Sequence, residues 1–132
     1  MVRTDNDLTD ALSASGKAPI NALFVTGGPI NSRQANAPRI TTFALRRRLP
    51  TITDFGRTLV DAGGLLSYSP DLRALADRTA SFIERILRGA KPTELPIELP
   101  TKFELVINLK TAKALGLTIP QTLLLRADQV IQ

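Results

Sequence analysis

The chain has 132 residues, a formal net charge of +5 and a hydrophobic content of 43%. This length suits one domain with a real core, and the charge permits an anionic partner without requiring one. There is no cysteine and no histidine, which excludes disulfides, the usual zinc sites and catalytic triads or dyads that need either residue. No apolar run is long enough to span a membrane, and the polar residues after Met1 do not predict a signal peptide.

The first half of the chain alternates short helical and extended patterns. The capping residues Thr4 to Asp7 precede a short amphipathic helix. The apolar run from Ile20 to Thr26 predicts the first strand, and a Gly-Gly-Pro sequence ends it. A helix is predicted from Pro38 to Arg48, with three arginines in its last turn, where cations interact favourably with the helix dipole. The β-branched stretch from Thr51 to Thr53 predicts the second strand.

The middle of the chain contains the most regular helical pattern. Asp54 is a candidate N-cap for a short helix from Gly56 to Ala62, and Leu65 to Tyr68 is the third predicted strand. Ser69-Pro70 suits the N-cap and first residue of a long helix that Gly89 ends. Apolar residues recur in this helix at i, i+3, i+4 and i+7, which indicates one apolar stripe.

The last third begins with an extended connection from Lys91 to Pro100, which contains three prolines. The run from Phe103 to Ile107 predicts a buried strand. Asn108 is then the N-cap of a helix that ends at Gly116, and Pro120 is the first residue of a final helix. Alternating strands and helices predict a mostly parallel sheet covered on both faces.

Ligands of open α/β sheets bind beyond the carboxyl ends of the strands. This rule selects small and polar residues after the three predicted strands, namely Thr26, Gly27, Gly28, Asp54, Ser67 and Tyr68. A second interpretation remains open, in which Gly27-Gly28-Pro29 is only a turn and Asp54 only a helix cap. The loop lacks the spacing of a phosphate-binding loop, and no cofactor or metal site is predicted.

A basic cluster, Arg46-Arg47-Arg48 with Arg33 and Arg39, is a candidate nucleic-acid patch. Aromatic residues make up only 5% of the chain, with one tyrosine and no tryptophan, so base stacking would be poorly served. A solvated helix end is the favoured interpretation.

The segment from Gly63 to Pro120 closely resembles the C-terminal part of ABC transporter substrate-binding proteins. The matching residues are Gly63-Gly64-Leu65, Ser67-Tyr68, Ile86-Leu87, Gly89-Ala90-Lys91-Pro92, Leu95-Pro96, Thr101-Lys102-Phe103-Glu104, Asn108-Leu109-Lys110-Thr111-Ala112, Leu115-Gly116 and Ile119-Pro120. Weaker similarity extends back to the N-terminus, so the resemblance covers nearly the whole chain but less than half of the family's length.

The resemblance implies a type I periplasmic-binding fold, in which two Rossmann-like lobes close on a ligand by a hinge. The chain would be a single domain, residues 1–132, corresponding to a truncated second lobe: a Rossmann-like three-layer sandwich with a mostly parallel sheet. The six strand-end residues would form the second-lobe half of the cleft. Members often carry Asp-Pro where this chain has Gly28-Pro29, which implies the loss of one polar ligand contact.

The expected function is therefore that of a non-enzymatic solute-binding component of an ABC transporter, present as a fragment that binds ligand weakly or not at all. The partners implied are a small, amino-acid-like solute and, in intact relatives, an ABC permease. The family is periplasmic or membrane-anchored, whereas this chain would be cytoplasmic if Met1 is the true start. The helix from Pro70 to Arg88, without a first lobe, would repack on its own sheet or form a homodimer. A stand-alone interaction module or a non-functional remnant is the alternative, and a nucleic-acid-binding module is a distant third.

Overall fold

The computed structural model describes residues 2–17 and 19–132. In chain order its elements are α1 (Asp5–Ser15), β1 (Leu23–Val25), α2 (Ala37–Arg46), β2 (Thr51–Thr53), α3 (Thr58–Asp61), β3 (Leu66–Pro70), α4 (Leu72–Leu87), a 3-10 turn (Pro92–Glu94), β4 (Phe103–Asn108), α5 (Leu109–Leu115), α6 (Gln121–Leu124) and β5 (Gln129–Ile131).

The five strands form one sheet in the order β1-β2-β3-β4-β5. β1, β2 and β3 are parallel, β3 and β4 are antiparallel, and β4 and β5 are parallel. The predicted α/β class with a mostly parallel sheet is therefore confirmed. The antiparallel pair and the short last strand, β5, were not predicted from the sequence.

Side-chain caps fix the two best-predicted helix ends. Thr4 Oγ1 accepts a hydrogen bond from the Asp7 amide at 3.1 Å, and the Asp7 carboxylate accepts one from the Thr4 amide at 3.0 Å. These two bonds make a capping box at the start of α1. Asn108 caps α5, and Gly116 follows that helix at φ 72°, a left-handed conformation that favours glycine.

The prediction that Ser69-Pro70 begins the long helix is wrong. Both residues belong to β3, where Ser69 pairs with Glu104 and Pro70 with Phe103. The antiparallel partner extends β3 past its predicted end, which a pattern of single residues cannot reveal. Asp71 caps α4 instead, and its Oδ1 accepts hydrogen bonds from the Arg73 and Ala74 amides.

Other boundaries shift by a few residues. The first strand is Leu23–Val25 instead of Ile20 to Thr26, because only three residues pair with β2. The short helix after Asp54 is Thr58–Asp61, and the helix predicted from Pro38 to Arg48 is Ala37–Arg46. Pro120 is the N-cap, not the first residue, of the last helix, which is only four residues long.

One face of the sheet is covered by α1, α2 and α3. Leu8 from α1, Ile40 from α2 and Leu59 from α3 form one buried cluster with Val25 of β1. Burial alternates along the strands on this face: Thr51, Thr53, Ser67 and Ser69 are buried, and the side chains between them point the other way. The core therefore lies between this face and the three helices.

The opposite face of the sheet is largely open. The strand register places Phe24, Ile52, Tyr68 and Phe103 there, and all four are exposed, Phe24 to 59%. Ile107, on the same face, is fully buried. The prediction of a sheet covered on both faces is thus wrong within residues 2–17 and 19–132, because no helix of these ranges buries the four side chains.

The long helix α4 also lacks cover. None of its residues is buried, and its apolar stripe includes Ile83 and Leu87, which are 53% and 82% exposed. The expectation that α4 repacks on its own sheet is therefore wrong.

Among the described helices, none combines the length and hydropathy that a membrane span needs.

Candidate functional site

The carboxyl ends of β1 and β2 lie side by side at one rim of the sheet. Val25 pairs with Thr53, so the residues that follow them leave the sheet at the same level. The Gly27 amide donates a hydrogen bond to Asp54 Oδ1 over 2.7 Å. This bond joins the two strand ends, and we call the surface around it, Thr26 to Gly28 with Asn31 and Asp54, the rim site.

Asp54 is not a helix cap. α3 begins at Thr58, two residues after the expected start at Gly56, and its N-cap is Arg57, without a side-chain cap. The Asp54 carboxylate instead accepts the Gly27 amide from the neighbouring strand end. The capping interpretation of Asp54 is therefore wrong, and its side chain remains at the rim.

A turn follows β1 and runs from Gly28 to Ser32, so that Gly27 lies just before it. The Gly28 amide donates to Ser32 Oγ, and the Ser32 amide donates to the Gly28 carbonyl, both over 3.0 Å. Gly27 is needed for space, since a Cβ there would lie 2.9 Å from Phe55 side-chain atoms. A Cβ at Gly28 would meet no atom within 4 Å, so the backbone there is open to solution.

Asn31 is a candidate site residue that the strand-end rule does not select. Its Nδ2 donates to the Thr26 carbonyl over 3.3 Å. Its Oδ1 is buried and accepts no hydrogen bond from any described residue. A buried acceptor without a donor is costly, by about 1–3 kcal/mol, and such atoms are uncommon in folded proteins. An asparagine shortly after a strand end is a signal that could have drawn attention to it.

Two spaces lie at this end of the sheet, and one of them borders the rim site. A small cavity of about 10 Å³, near the size of one water molecule, is bordered by Thr26, Gly27, Asn31 and Thr53. A separate open groove of about 490 Å³ shares Phe55 and Thr58 with this cavity but is lined by no rim-site residue, and it runs to the end of β3 and the start of α4. The second space has the size of an ordinary small-molecule site.

Ser67 and Tyr68 lie in β3 beside the end of β2, but their side chains do not belong to the rim site. Ser67 pairs with Thr53 and is buried on the covered face. Tyr68 points to the open face, where its ring stacks on Phe103 with centroids 5.3 Å apart. The structure thus brings Thr26, Gly27, Gly28 and Asp54 together and places these two residues elsewhere. A ligand-binding role for Ser67 and Tyr68 stays a prediction that this placement does not favour.

The guanidinium of Arg57, which lines this groove, already forms hydrogen bonds within the chain. Its Nε and Nη2 both bond to the Asp61 carboxylate, with distances down to 2.9 Å, and its Nη1 bonds to Gln129 Oε1. The hydrogen bonds to Asp61 raise the pKa of Arg57 further above its ordinary value. Within the described chain, Asn31 Oδ1 and the Asp54 carboxylate oxygen that does not bond to Gly27 remain as hydrogen-bond acceptors at the rim site, and two such acceptors suit a ligand that carries N–H donors. In the part of the chain that the structure describes, no three acidic residues are grouped as metal ligands.

Three solved structures resemble this chain. The first is an ABC domain in complex with L-Trp from Streptococcus pneumoniae, at 29% identity and a TM-score of 0.83, covering 98% of this chain and 43% of that one. The second is a conserved domain protein from Vibrio cholerae, at 24% identity and a TM-score of 0.81, covering 95% and 41%. The third is the ligand-free, open form of a substrate-binding protein with adhesive properties from Clostridium difficile, at 21% and 0.68, covering 99% and 42%.

This chain therefore spans about two-fifths of the length of each of these structures. The two at lower identity show the fold alone. A comparison with curated proteins found no match. The profile of the family described as ABC transporter substrate binding protein matches residues 5–131, almost the full length of the sequence. The chain belongs to the ABC transporter substrate-binding protein family.

Proposed function

We propose that the rim site is one wall of a solute-binding cleft, and that its ligand is a small, amino-acid-like solute whose ammonium group contacts Asn31 and Asp54. The observation that carries this proposal is the buried Asn31 Oδ1, which accepts no hydrogen bond within the described residues. It lies beside the turn that Asp54 holds through the Gly27 amide. An ammonium group supplies three donors and a charge complementary to the Asp54 carboxylate.

Selectivity would follow from the cost of the unpaired acceptor. A solute with a donor supplies a hydrogen bond that no described residue gives to Asn31 Oδ1, whereas a solute without one supplies none. The relative from Streptococcus pneumoniae, solved with L-Trp, supports an amino-acid-like ligand. The groove beside Phe55 offers space for the rest of such a molecule.

Affinity for this wall alone would be low. The chain covers 43% of the related pneumococcal structure, and a solute held on one side buries less of its surface than in an enclosed pocket. In an intact relative the cleft would close around the solute. The solute would then be delivered, on the outer side of the membrane, to an ABC permease. The proposed role is binding without chemical conversion.

Thermal unfolding with amino acids tests this proposal. L-tryptophan should stabilise the chain, and the same acid without its amino group should not, because a ligand stabilises only the state that binds it. Asn31→Ala should abolish the stabilisation, whereas Asn21→Ala, at an exposed loop position, should retain it. Equal stabilisation by both compounds would contradict the proposal. So would the absence of stabilisation by any member of a broad panel of amines.

We propose that residues 1–132 form a single folding domain. One sheet includes strands from Leu23–Val25 to Gln129–Ile131, which favours this view. Calorimetry should give one transition whose calorimetric and van't Hoff enthalpies agree. Two separate transitions would contradict it.

A stand-alone dimer is the second candidate function, and the exposed stripe of α4 favours it. A helix stripe can pack on the same stripe of a second copy, since a two-fold interface is self-complementary. Burying Ile83 and Leu72, now about half exposed, would contribute up to roughly 1.5–3 kcal/mol for each side chain. Light scattering should then show a dimer that Ile83→Arg converts to a monomer. A compact wild-type monomer would contradict the dimer proposal. The exposed stripe of α4 would then be explained by a part of the relatives' fold that covers it.

A further inference from the structure

A groove between α1 and α2 is lined by arginines and lies apart from the rim site. α1 contributes Leu12 and Thr9, and α2 contributes Arg39, Phe43 and Arg46, with Arg47 directly after the helix. The groove is open to solution, with a volume of about 640 Å³, and none of the residues that line it is acidic. We call it the basic groove.

The charges of the basic groove are poorly neutralised. Among the described residues, Arg46 and Arg47 have no carboxylate within 4 Å, and Arg39 approaches Asp5 only to 3.9 Å. Arg39 is fixed by Thr9 Oγ1, which accepts from its Nη2 at 2.8 Å. Arg47 is fixed by the Gly16 carbonyl and by the Phe43 ring, whose centroid lies 5.5 Å from the guanidinium carbon. Two of the three cations are thus held in place rather than free in solution, which lowers the entropy lost when they bind an anion.

The basic groove also has apolar lining residues, which we call its floor. Leu12, Pro38 and Phe43 lie between the arginines, and Leu12 and Phe43 are half-buried. We propose that the basic groove is a docking surface for an acidic, leucine-rich amphipathic helix of a partner protein. Its carboxylates would pair with the arginines and its apolar side chains would cover the floor, as in other helix-in-groove complexes.

Nucleic acid and membrane fit the same groove less well. The ring of Phe43 already faces the Arg47 guanidinium, so it offers no free platform for a base. Leu12 and Phe43 are half-buried, so they offer little apolar surface for insertion into a bilayer. Charge complementarity and the apolar side chains between the arginines together favour an acidic amphipathic helix.

Fluorescence anisotropy with a labelled peptide of repeated Glu-Leu-Leu-Glu units tests the proposal on the full chain. The double variant R46Q/R47Q should weaken binding by roughly tenfold or more, because both desolvated ion pairs are lost. R85Q/R88Q removes the same charge at the end of α4 and should bind as the wild type does. A peptide with glutamine in place of glutamate should bind much more weakly.

The competing partners are measured in parallel. Equal losses in both double variants, or equal binding of the glutamine peptide, would overturn the proposal. Phosphatidylglycerol vesicles or a single-stranded oligonucleotide that bind through the same arginines as tightly as the peptide would overturn it in favour of membrane or nucleic acid. Thermal unfolding checks that each variant is folded. If Arg47 proves necessary for folding, Arg46→Glu replaces the double variant, because Arg46 is exposed and makes no polar contact in the described chain.

Discussion

The amide of Gly27 and the Oδ1 of Asp54 are joined by a hydrogen bond of 2.7 Å that links the carboxyl ends of two parallel strands. The residues lie 27 positions apart in sequence, so the contact depends on the register of β1 and β2. It fixes the turn after β1 and orients the carboxylate at the rim site.

Two substitutions of Asp54 distinguish the contribution of its charge to stability from that of its hydrogen bond. Asp54→Ala removes the acceptor of the Gly27 amide and should lower the free energy of unfolding by about 0.5–1 kcal/mol, since the bond is solvent-exposed. Asp54→Asn keeps an acceptor oxygen and should lose less. Urea unfolding checks both, with Asp77→Asn on the exposed side of α4 as the control. Equal losses in Asp54→Asn and Asp54→Ala would show that the hydrogen bond itself contributes nothing.

Two adjacent glycines provide a matched pair for the turn. Gly27→Ala places a Cβ 2.9 Å from Phe55 side-chain atoms, so the loop must shift and the unfolding free energy should fall by about 1–3 kcal/mol. Gly28→Ala places its Cβ in open space and should change stability by less than about 0.5 kcal/mol. Thermal unfolding of both variants decides the point. Similar Tm values for the two would contradict the close approach of Gly27 to Phe55.

Asn108 is a structural side chain with two roles. Its Oδ1 accepts from the Thr111 amide at 3.1 Å, and its Nδ2 donates to the buried Val60 carbonyl at 3.2 Å. Asn108→Ala should lower the unfolding free energy by about 2–4 kcal/mol, from a lost cap and an unpaired buried carbonyl. Asn108→Asp keeps the cap acceptor but places a carboxylate oxygen against the buried Val60 carbonyl, so at neutral pH it should recover little of the loss. Denaturant unfolding measures this, and a loss no larger than that of the exposed Asn21→Ala would refute it.

Asp71 predicts a pH dependence at the start of α4. Hydrogen bonds from Lys102 and from the Ala74 and Arg73 amides lower the pKa of its carboxyl below the ordinary value. Since the unfolded-state pKa is about 3.9, the stabilisation by Asp71 is fully present above that pH and is lost as the pH falls through the lower folded-state value. Wild type should be more stable than Asp71→Asn at neutral pH, and the difference should disappear in strong acid. Unfolding measured from neutral to acidic pH tests this, and a difference that persists unchanged in acid would contradict the assignment.

Local signals predicted much of this fold. Asn108 and Gly116 define α5 because caps and left-handed glycines act through neighbouring backbone groups. Ser69-Pro70 failed as a helix start, since pairing with Glu104 and Phe103 in a distant strand decides its conformation. The single-residue pattern could not reveal that pairing.

The candidate site shows the same division. The strand-end rule selected Gly27 and Asp54, because parallel strands end at one rim. It could not find Asn31, whose significance depends on the burial of one oxygen atom that accepts no hydrogen bond from residues 2–17 and 19–132. It also placed Ser67 with the site, although alternation along β3 buries that side chain on the covered face.

The central claim, that the rim site binds an amine-bearing solute, is tested most directly by residue-resolved NMR. In a titration of the labelled chain with L-tryptophan, we expect saturable shifts of the Gly27 and Gly28 amide signals and of the Asn31 side-chain amide. Asn31→Ala and Asp54→Asn should each reduce them, whereas Asn21→Ala should not. Absence of shifts up to the solubility limit of the amino acid, or shifts confined to α4 or the basic groove, would contradict the account.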